Sequence, residues 1–501
     1  MMLSFNSIIL RVAFVSCVMV VTLSAQLGGE ITGDPAQRAG MAGAGMATAG
    51  SIFDAPTNPA VLGFQMRGNR KSLQEYAGRL FWGPVSIEST DGDLYRPDGV
   101  IGGGPWIGVA NRVSPEFAWS FSLVPVGGGS ANYDRMTELN VATVDPNDPL
   151  SGPALHSVEM STNMIQLALA PSFAWTPQRN LSFGFGASVR YTKLDFLSAT
   201  DIALEDLTGD ATSLGFPTYG DLLDFLFNQQ AGRGIEAIQA DISAEAEAAF
   251  HSFAHFGVMF APTRDSRLSA WYRTPSTSKS LDGSVDVDVE ADIGEINALF
   301  DIENVGSFDL AIPDVSFPQQ LGFAIQQKVS RRSRVHGDIV WTDWSAAFDG
   351  WSAQVAGSDE GLGVMVGPDG TEVDMGMKWS DTLRVSLGAE YDFFETNFQR
   401  GLDGRLKKLQ QGFPITFRTG VGISNNPMHE SPTIGLTPYN TLHVGMGVTR
   451  WDWMGGDVHL GFVTALPEPW ESGEHAVLSD LDDDIYRQSH WSVVLGYQTA
   501  F

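Results

Sequence analysis

The side chains best placed to do chemistry are the basic residues that fall in strand-like stretches: Arg190, Lys328, Arg334, Arg384 and Arg418. In each stretch apolar residues alternate with polar or small ones, so on a strand the apolar residues share one face and the charges take the other. If the apolar face meets lipid, a charge placed on it at mid-bilayer costs roughly 2–4 kcal/mol, and these cations must look inward. Two roles are then open to them. They pair with Asp338 and Glu390 as ordinary lumen charges, or one or two of them hold the carboxylate of a ligand whose tail lies on inward apolar residues. Arg190 is the first choice for the second role, because Leu194 and Phe196 share its face. Nucleophilic catalysis is poorly provided for. His251-Ser252 and His443 are present, but sequence neighbours on a strand project to opposite faces and no hydrolase motif surrounds them. The acidic runs 282–290 and 480–484 fit no calcium-loop spacing and read as solvated loops. Gly445-Met446-Gly447 lies inside a strand with no helix after it, so it is not a nucleotide loop. No cofactor, metal or enzyme activity is expected.

The elements that must position these residues are strands. In the last twelve residues, 490–501, Trp491, Val493, Leu495, Tyr497 and Phe501 fall on one face, Gly496 and Gln498 on the other. A period of two, with an aromatic-edged apolar face opposite a small or polar one, suits a barrel that has lipid outside and a wet interior. The same alternation sets Leu383, Val385, Leu387, Ala389 and Tyr391 against Arg384, Ser386, Gly388 and Glu390, and Leu442, Val444, Met446 and Val448 against His443, Gly445, Gly447 and Thr449. Strand-like segments run near 72–90, 100–113, 117–132, 157–176, 181–197, 244–263, 267–290, 316–330, 332–346, 381–393, 413–425, 439–451, 455–466 and 490–501, fourteen in all. A bacterial barrel with both ends in the periplasm needs an even number. Long insertions, taken as extracellular loops, fall at about 198–243 and 347–380.

Residues 1–25 read as an export signal: Arg11 precedes the run Val12 to Val21, and small residues follow at Ser24 and Ala25. The run is too short to span a bilayer, and no other approaches the ~20 apolar residues that a membrane helix needs. Cys17, the one cysteine, could mark a lipoprotein anchor, but the apolar run continues past it to Leu23, so it is read as part of that signal and the mature chain is expected to have no thiol chemistry. Across 501 residues there is no linker or low-complexity tract, which favours one large body. Asp and Glu outnumber Lys and Arg by 59 to 30, a net charge of -29 that excludes nucleic acid as a partner.

Between the signal and the first strand lies a small-residue stretch, Asp34 to Gly50, followed by Ser51-Ile-Phe-Asp-Ala-Pro-Thr-Asn58-Pro59-Ala60. It is too poor in large apolar residues for a lipid-facing strand and too apolar for a solvated tail, so residues 26–70 are expected to pack inside a lumen. A Gly/Ala-rich stretch, an acidic residue and then Asn58-Pro59-Ala60 just before the first strand resembles the N-terminal hatch of the FadL family, outer-membrane transporters of long-chain fatty acids and other hydrophobic compounds. Met164 to Trp175 with Leu181 to Tyr191, Phe317 to Ile325 ending in Trp341-Thr-Asp-Trp-Ser345, and Leu383 to Tyr391 with Phe413 to Gly422 are similar to further stretches of that family in the same order. The chain departs from the pattern between Asp54 and Asn58, which is shorter than usual, and at Val61, where Gly often stands.

The resemblance implies an all-β protein: a monomeric, fourteen-stranded antiparallel transmembrane barrel over residues 71–501 with its lumen plugged by the hatch. It implies passive uptake of a hydrophobic ligand through a loop groove and an internal pocket, with sideways exit at an inward kink of the third strand, and a setting in outer-membrane lipid and lipopolysaccharide reached through the barrel-assembly machinery. Pro125 with Gly127, Gly128 and Gly129 supplies a cause for such a kink, although the same residues could simply end the strand in a Gly-rich turn. In the insertion at about 198–243, Leu222, Leu223, Phe225 and Leu226 form a helical apolar stripe, which either catches an acyl chain or packs the loop on the rim. A general aqueous porin and, less favoured, a lipid-modifying enzyme are the alternatives. Fatty acid, alkane, monoaromatic and terpenoid ligands all suit an apolar pocket.

Overall fold

The computed structural model describes residues 26–27, 30–31, 35–68, 70–83, 85–88, 92, 94–96, 101–145, 148–230, 237–289, 293, 296, 298, 301–356, 362, 371–374, 378–400, 406–428, 441–466, 469–471, 485–488 and 490–501. The expected export signal, with Cys17, and the acidic run 480–484 lie outside the described residues. Among the described residues no helix is long and apolar enough to cross a membrane.

Among the described residues fourteen strands close a barrel. In chain order they are β1 (Ser72–Trp82), β2 (Ile101–Arg112), β3 (Phe117–Asp145), β4 (Asp148–Gln178), β5 (Leu181–Ala203), β6 (Ala237–Phe260) and β7 (Ser266–Arg273). There follow β8 (Gln320–Lys328), β9 (Ser333–Thr342), β10 (Thr382–Arg400), β11 (Leu406–Ser424), β12 (Leu442–Trp453), β13 (Gly456–Ala465) and β14 (His490–Ala500). Each pairs antiparallel with the next, and β14 returns to β1 from Trp491↔Trp82 to Ala500↔Leu73. All fourteen expected segments are present.

The alternation has the cause expected for it. Phe173, Phe185, Phe323, Leu387, Ile423 and Leu495 are exposed on the outer face, while Ser172, Gln326, Ser386, Arg418 and Ser492 are buried inside. Cross-strand aromatic pairs reinforce the outer belt, among them Trp82–Trp491 at 6.3 Å and Phe185–Phe256 at 5.6 Å between ring centroids. Such pairs add roughly 0.5–1.5 kcal/mol beyond the area they bury.

The expectation of one strand over 267–290 is corrected. β7 stops at Arg273, and after Thr274-Pro275 a separate strand, Lys279–Asp288, pairs with Val305–Val315 and with the upper part of β6, from Asp241↔Asp288 to Ala246↔Gly283. Proline has no N–H for the ladder, which fits a strand ending just before it. The acidic run from Asp282 is therefore strand rather than loop: Leu281, Val285 and Val287 are buried, while Asp282 and Asp286 are exposed. With Ser352–Val355 and Thr371–Asp374 these strands raise the wall beyond the membrane-crossing ring. The first segment also divides. β1 ends at Trp82, and Val85–Glu88 joins a second sheet with Leu94–Tyr95, Pro469–Glu471 and Ile485–Gln488.

One seam of the barrel is incomplete. β2 pairs with β1 along its whole length, from Ser72↔Asn111 to Trp82↔Ile101, but with β3 only from Arg112↔Ala118 to Ile107↔Leu123. Beyond Leu123, β3 pairs with β4 alone, and a register shift between Pro125 and Gly127 marks a bulge at Val126. The reading of Gly127–Gly129 as the end of the strand is overturned, since β3 continues to Asp145.

Candidate functional site

Residues 35–66 fold into short helical turns, Ala36–Ala39, Met46–Thr48, Ile52–Asp54, Pro59–Val61 and Leu62–Gln65, almost wholly buried within the barrel. Local chemistry shapes them. Ser51 caps its turn through Phe53 N at 3.1 Å, and Asn58 Oδ1 accepts from Ala60 N at 3.1 Å with Pro59 at the first helical position. The barrel wall then supplies acceptors. Asp338 of β9 receives the Gly45 and Met46 amides at 2.9 and 3.0 Å. Glu75 of β1 receives Ser51 Oγ and Ile52 N, each at 2.7 Å. Asn58 Nδ2 donates to Ser269 Oγ of β7 at 2.6 Å.

Inward glycines let this segment approach. A Cβ at Gly184 would stand 2.1 Å from Ala60 N, one at Gly257 1.9 Å from Asn58 Oδ1, one at Gly420 2.3 Å from Met41 O and one at Gly461 2.3 Å from Ala36 O. Asn58, Pro59 and Ala60 thus sit against glycines of β5 and β6. The sequence reading named these three but not their seats. The signal was available in the inward glycines of the alternating strands.

The inward cations divide by role. Arg334 and Arg418 pair with Glu390 at 2.7 and 2.6 Å, and Arg334 also pairs with Asp392 at 2.8 Å. Ion pairing with Glu390 therefore holds, but Asp338 receives backbone amides of the N-terminal segment, which corrects its assignment to the strand charges. Lys328 is exposed at the end of β8. It lines, with Arg334, Glu390 and Arg418, a polar cavity of about 560 Å³ at the end of the barrel that carries the short turns.

Arg190 is set differently. Its guanidinium stands 4.7 Å from the Phe253 ring and 4.9 Å from the Phe317 ring, and Nη1 donates to Gln166 Oε1 at 3.4 Å. The His251 ring meets Phe317 edge-on at 4.9 Å. Leu194 lies in the same apolar cluster as Phe253 and Phe317, with Phe196 packed on it. That cluster continues upward into Trp344, Phe348, Trp351 and Trp379, whose rings touch at 4.6–5.0 Å. Sequence reasoning missed Phe253 as a partner of Arg190, although His251, Phe253 and His255 alternate inward on one strand.

The loop after β5 reaches this cluster. Thr218 and Asp221 form a reciprocal cap for the helix Tyr219–Asp224, and a π-helical turn, Phe225–Gln230, follows. The expected stripe Leu222, Phe225, Leu226 is altered. Leu222, Leu223 and Phe227 are buried, while Leu226 is half-buried against the same cluster and Phe225 is half-buried against the Phe216 ring at 5.2 Å, because i→i+5 geometry rotates the residues after Asp224. Hydrogen bonds from Asn228 and Gln229 hold the carboxyl of the half-buried Asp224 below its usual range.

At the open seam, Phe53, Ala77, Trp106, Val124 and Ala168 form a separate buried apolar group, with Val126 packed on it. A Cβ at Gly127 would stand 2.3 Å from Gln166 Oε1, so Gln166 lies between the bulge and Arg190. Pro105 on β2 and Pro125 on β3 both lie in the stretches that the β2–β3 ladder leaves out. A missing N–H is tolerated on such an edge. Among the described residues no group of three or more His, Cys, Asp or Glu could hold a metal ion.

A closed fourteen-strand antiparallel barrel with an apolar outer belt, charged side chains inside and a buried N-terminal segment has the architecture of an outer-membrane β-barrel. The family described as outer membrane protein transport protein (OMPP1/FadL/TodX) matches residues 153–399 of the chain. It is similar in structure to the Pseudomonas putida toluene transporter TodX, with a TM-score of 0.65 at 14% identity over 95% of this chain and 99% of that one. The Ralstonia pickettii toluene transporter TbuX gives 0.63 at 16% identity over 93% and 98% of the two chains. A Pseudomonas aeruginosa FadL homologue gives 0.63 at 14% identity over 95% and 100%. No curated protein sequence matches the chain.

Proposed function

We propose that this barrel takes up long-chain fatty acids or other hydrophobic small molecules passively across the outer membrane and releases them sideways between β2 and β3. The observation that carries this reading is the interrupted seam. In hydrocarbon each unpaired backbone group costs several kcal/mol, so an open ladder edge beside an apolar interior needs a purpose. Half-buried Phe225 and Leu226 form the entrance, and Leu222, Leu194 and Phe196 continue it inward. Arg190, between Phe253 and Phe317, holds a ligand carboxylate where one is present. Gln166 and Gly127 lie between that site and the exit. Residues 35–66, with Asn58-Pro59-Ala60 seated on β5 and β6, act as the hatch and keep the lumen from being an aqueous pore. The protein works as a monomer without cofactor or catalysis, in contact with outer-membrane lipid and lipopolysaccharide after insertion by the barrel-assembly machinery.

The test is replacement of Gly127, Gly128 and Gly129 by Val. β-branched side chains favour a regular ladder and fill the opening. Uptake of a long-chain acyl tracer into cells should fall while ligand binding to the purified protein persists. Normal uptake by this variant would sink the lateral exit.

A further inference from the structure

A second polar cluster lies on the wall away from Arg190. His443 of β12 and His490 of β14 are buried, and their rings stand edge to face with centroids 6.3 Å apart. Register places them in one row, for His443 pairs with Ala465, which pairs with His490. In the other direction His443 pairs with Gly422, which pairs with Ser386. Neither nitrogen of either imidazole has a hydrogen-bond partner, nor have Trp106 Nε1, Ser386 Oγ or Ser492 Oγ. Two guanidinium groups border the same patch. Arg79 stands 5.6 Å from the Trp106 ring, Arg384 is the inward neighbour of Ser386, and both act electrostatically on His443.

Buried polar side-chain atoms are hydrogen-bonded in the large majority of cases, so so many unmet ones in one place call for a missing partner. What is gathered there is rich in donors: guanidinium, indole N–H, hydroxyl and imidazole N–H. A carboxylate carries only acceptors and complements that set. The surroundings also suit an apolar tail. Phe81 lies 6.4 Å from the His490 ring, and Trp106 belongs to the apolar group at the β2–β3 seam. The floor is the N-terminal segment: a Cβ at Gly445, the next inward residue after His443, would stand 2.5 Å from Ala39 O and Ala42 N.

We propose that His443, His490, Trp106, Arg79 and Arg384 form a second carboxylate station, which holds the headgroup of an apolar-tailed acid on the upper surface of the N-terminal segment, next to the lateral opening. The proposal rests on the reading of the barrel as a carrier of hydrophobic ligands, and it adds that acids are bound twice where uncharged cargo is not.

Calorimetric titration of the full-length protein in detergent, with hexadecanoate and with hexadecanol, tests this. Hexadecanoate should show two classes of site. Arg190→Ala should remove one, and the double variant His443→Leu/His490→Leu should weaken the other by about tenfold or more, the scale of a lost charge-assisted contact. Hexadecanol binding should be unchanged in both. A His variant that keeps both acid sites overturns the station and leaves the uptake reading intact, whereas wild-type protein that binds neither compound overturns both. His443→Gln/His490→Gln, which keeps donors on both strands, should recover part of the acid affinity. If it binds no better than the Leu variant while retaining the gel mobility of a folded barrel, the headgroup role is wrong. Acetate binding as tightly as hexadecanoate would also overturn the proposal, since the tail would then contribute nothing.

Discussion

Glycine does opposite work on two walls of this barrel. On β5, β6 and β10–β13 the inward glycines remove side chains so that the backbone of residues 35–66 can lie directly on the strands, as at Gly184, Gly257, Gly420 and Gly461. There the ladders are continuous or nearly so, from β11 to β12 over nine paired positions, and the lumen is filled. On β3, Gly127 follows a bulge and a proline, and the neighbouring β2 edge has no ladder partner beyond Ile107. The same missing Cβ closes one wall and loosens the other. What decides is whether a second backbone is there to occupy the space. The Arg190 site and the polar cluster at His443 stand between these two regimes.

The comparison can be broken most forcefully by removing the second backbone. Deleting residues 35–66 should leave a barrel that still inserts, because the strands carry their own ladder and closure by β14–β1 does not use the segment. The lumen, however, should conduct. Planar-bilayer recordings should change from nearly closed to stable openings, and equal conductance before and after deletion would refute the plug. Asp338 would lose the Gly45 and Met46 amides and Glu75 the Ser51 hydroxyl and Ile52 amide, so thermal stability should fall as well.

A smaller effect is expected from Gly184→Val. Its Cβ would collide with the Ala60 amide at 2.1 Å, a backbone atom that cannot swing aside as a side chain can. Overpacking of this kind typically costs about 1–3 kcal/mol, enough to raise the population of an unseated segment without unfolding the barrel. Intermittent conductance bursts, absent in the wild type, are the expected signature. The Val triplet at Gly127–Gly129 should do the reverse by reducing exit, so a pair of variants that change conductance and uptake in the same direction would dissolve the contrast between the walls.

The sequence made the ring of strands legible because the membrane forces a two-residue alternation on each crossing, and Leu383 to Tyr391 or Leu442 to Val448 can satisfy it in only one way. Where that constraint lapses, the reading failed. Above the membrane the chain is free to break a strand, as at Thr274-Pro275, or to lengthen one, as in β3 and β4. The N-terminal segment was legible by composition, but its seats were not, since an inward glycine looks alike whether it meets water or backbone. At the proposed ligand site Arg190, Leu194 and Phe196 were visible on one strand. Phe253 and Phe317 were not, because which ring reaches a given cation depends on register across β4, β5 and β6 and on a loop that returns before β8. The apolar stripe of the loop helix was correct in kind and wrong in phase, as a π turn cannot be read from spacing alone.

The most local effect, confined to one class of ligand, concerns which cargo the proposed inner site distinguishes. Arg190 touches two aromatic faces and the Gln166 amide, so its charge is held in place by contacts that are individually weak, each cation–π contact being worth roughly 0.5–2 kcal/mol. Removing it costs the wall little, because Phe253 and Phe317 remain in an apolar cluster that extends well beyond them. For a carboxylate ligand, Arg190→Ala should weaken binding by about 1.5–3 kcal/mol, the value of a hydrogen bond to a charged group. An alkane or a monoaromatic should bind unchanged, or slightly tighter in the space left. Competition binding with a matched acid and hydrocarbon gives the difference directly. Equal losses for both would show that Arg190 only shapes the pocket, and the selectivity of this barrel would then lie with the aromatic cluster above it.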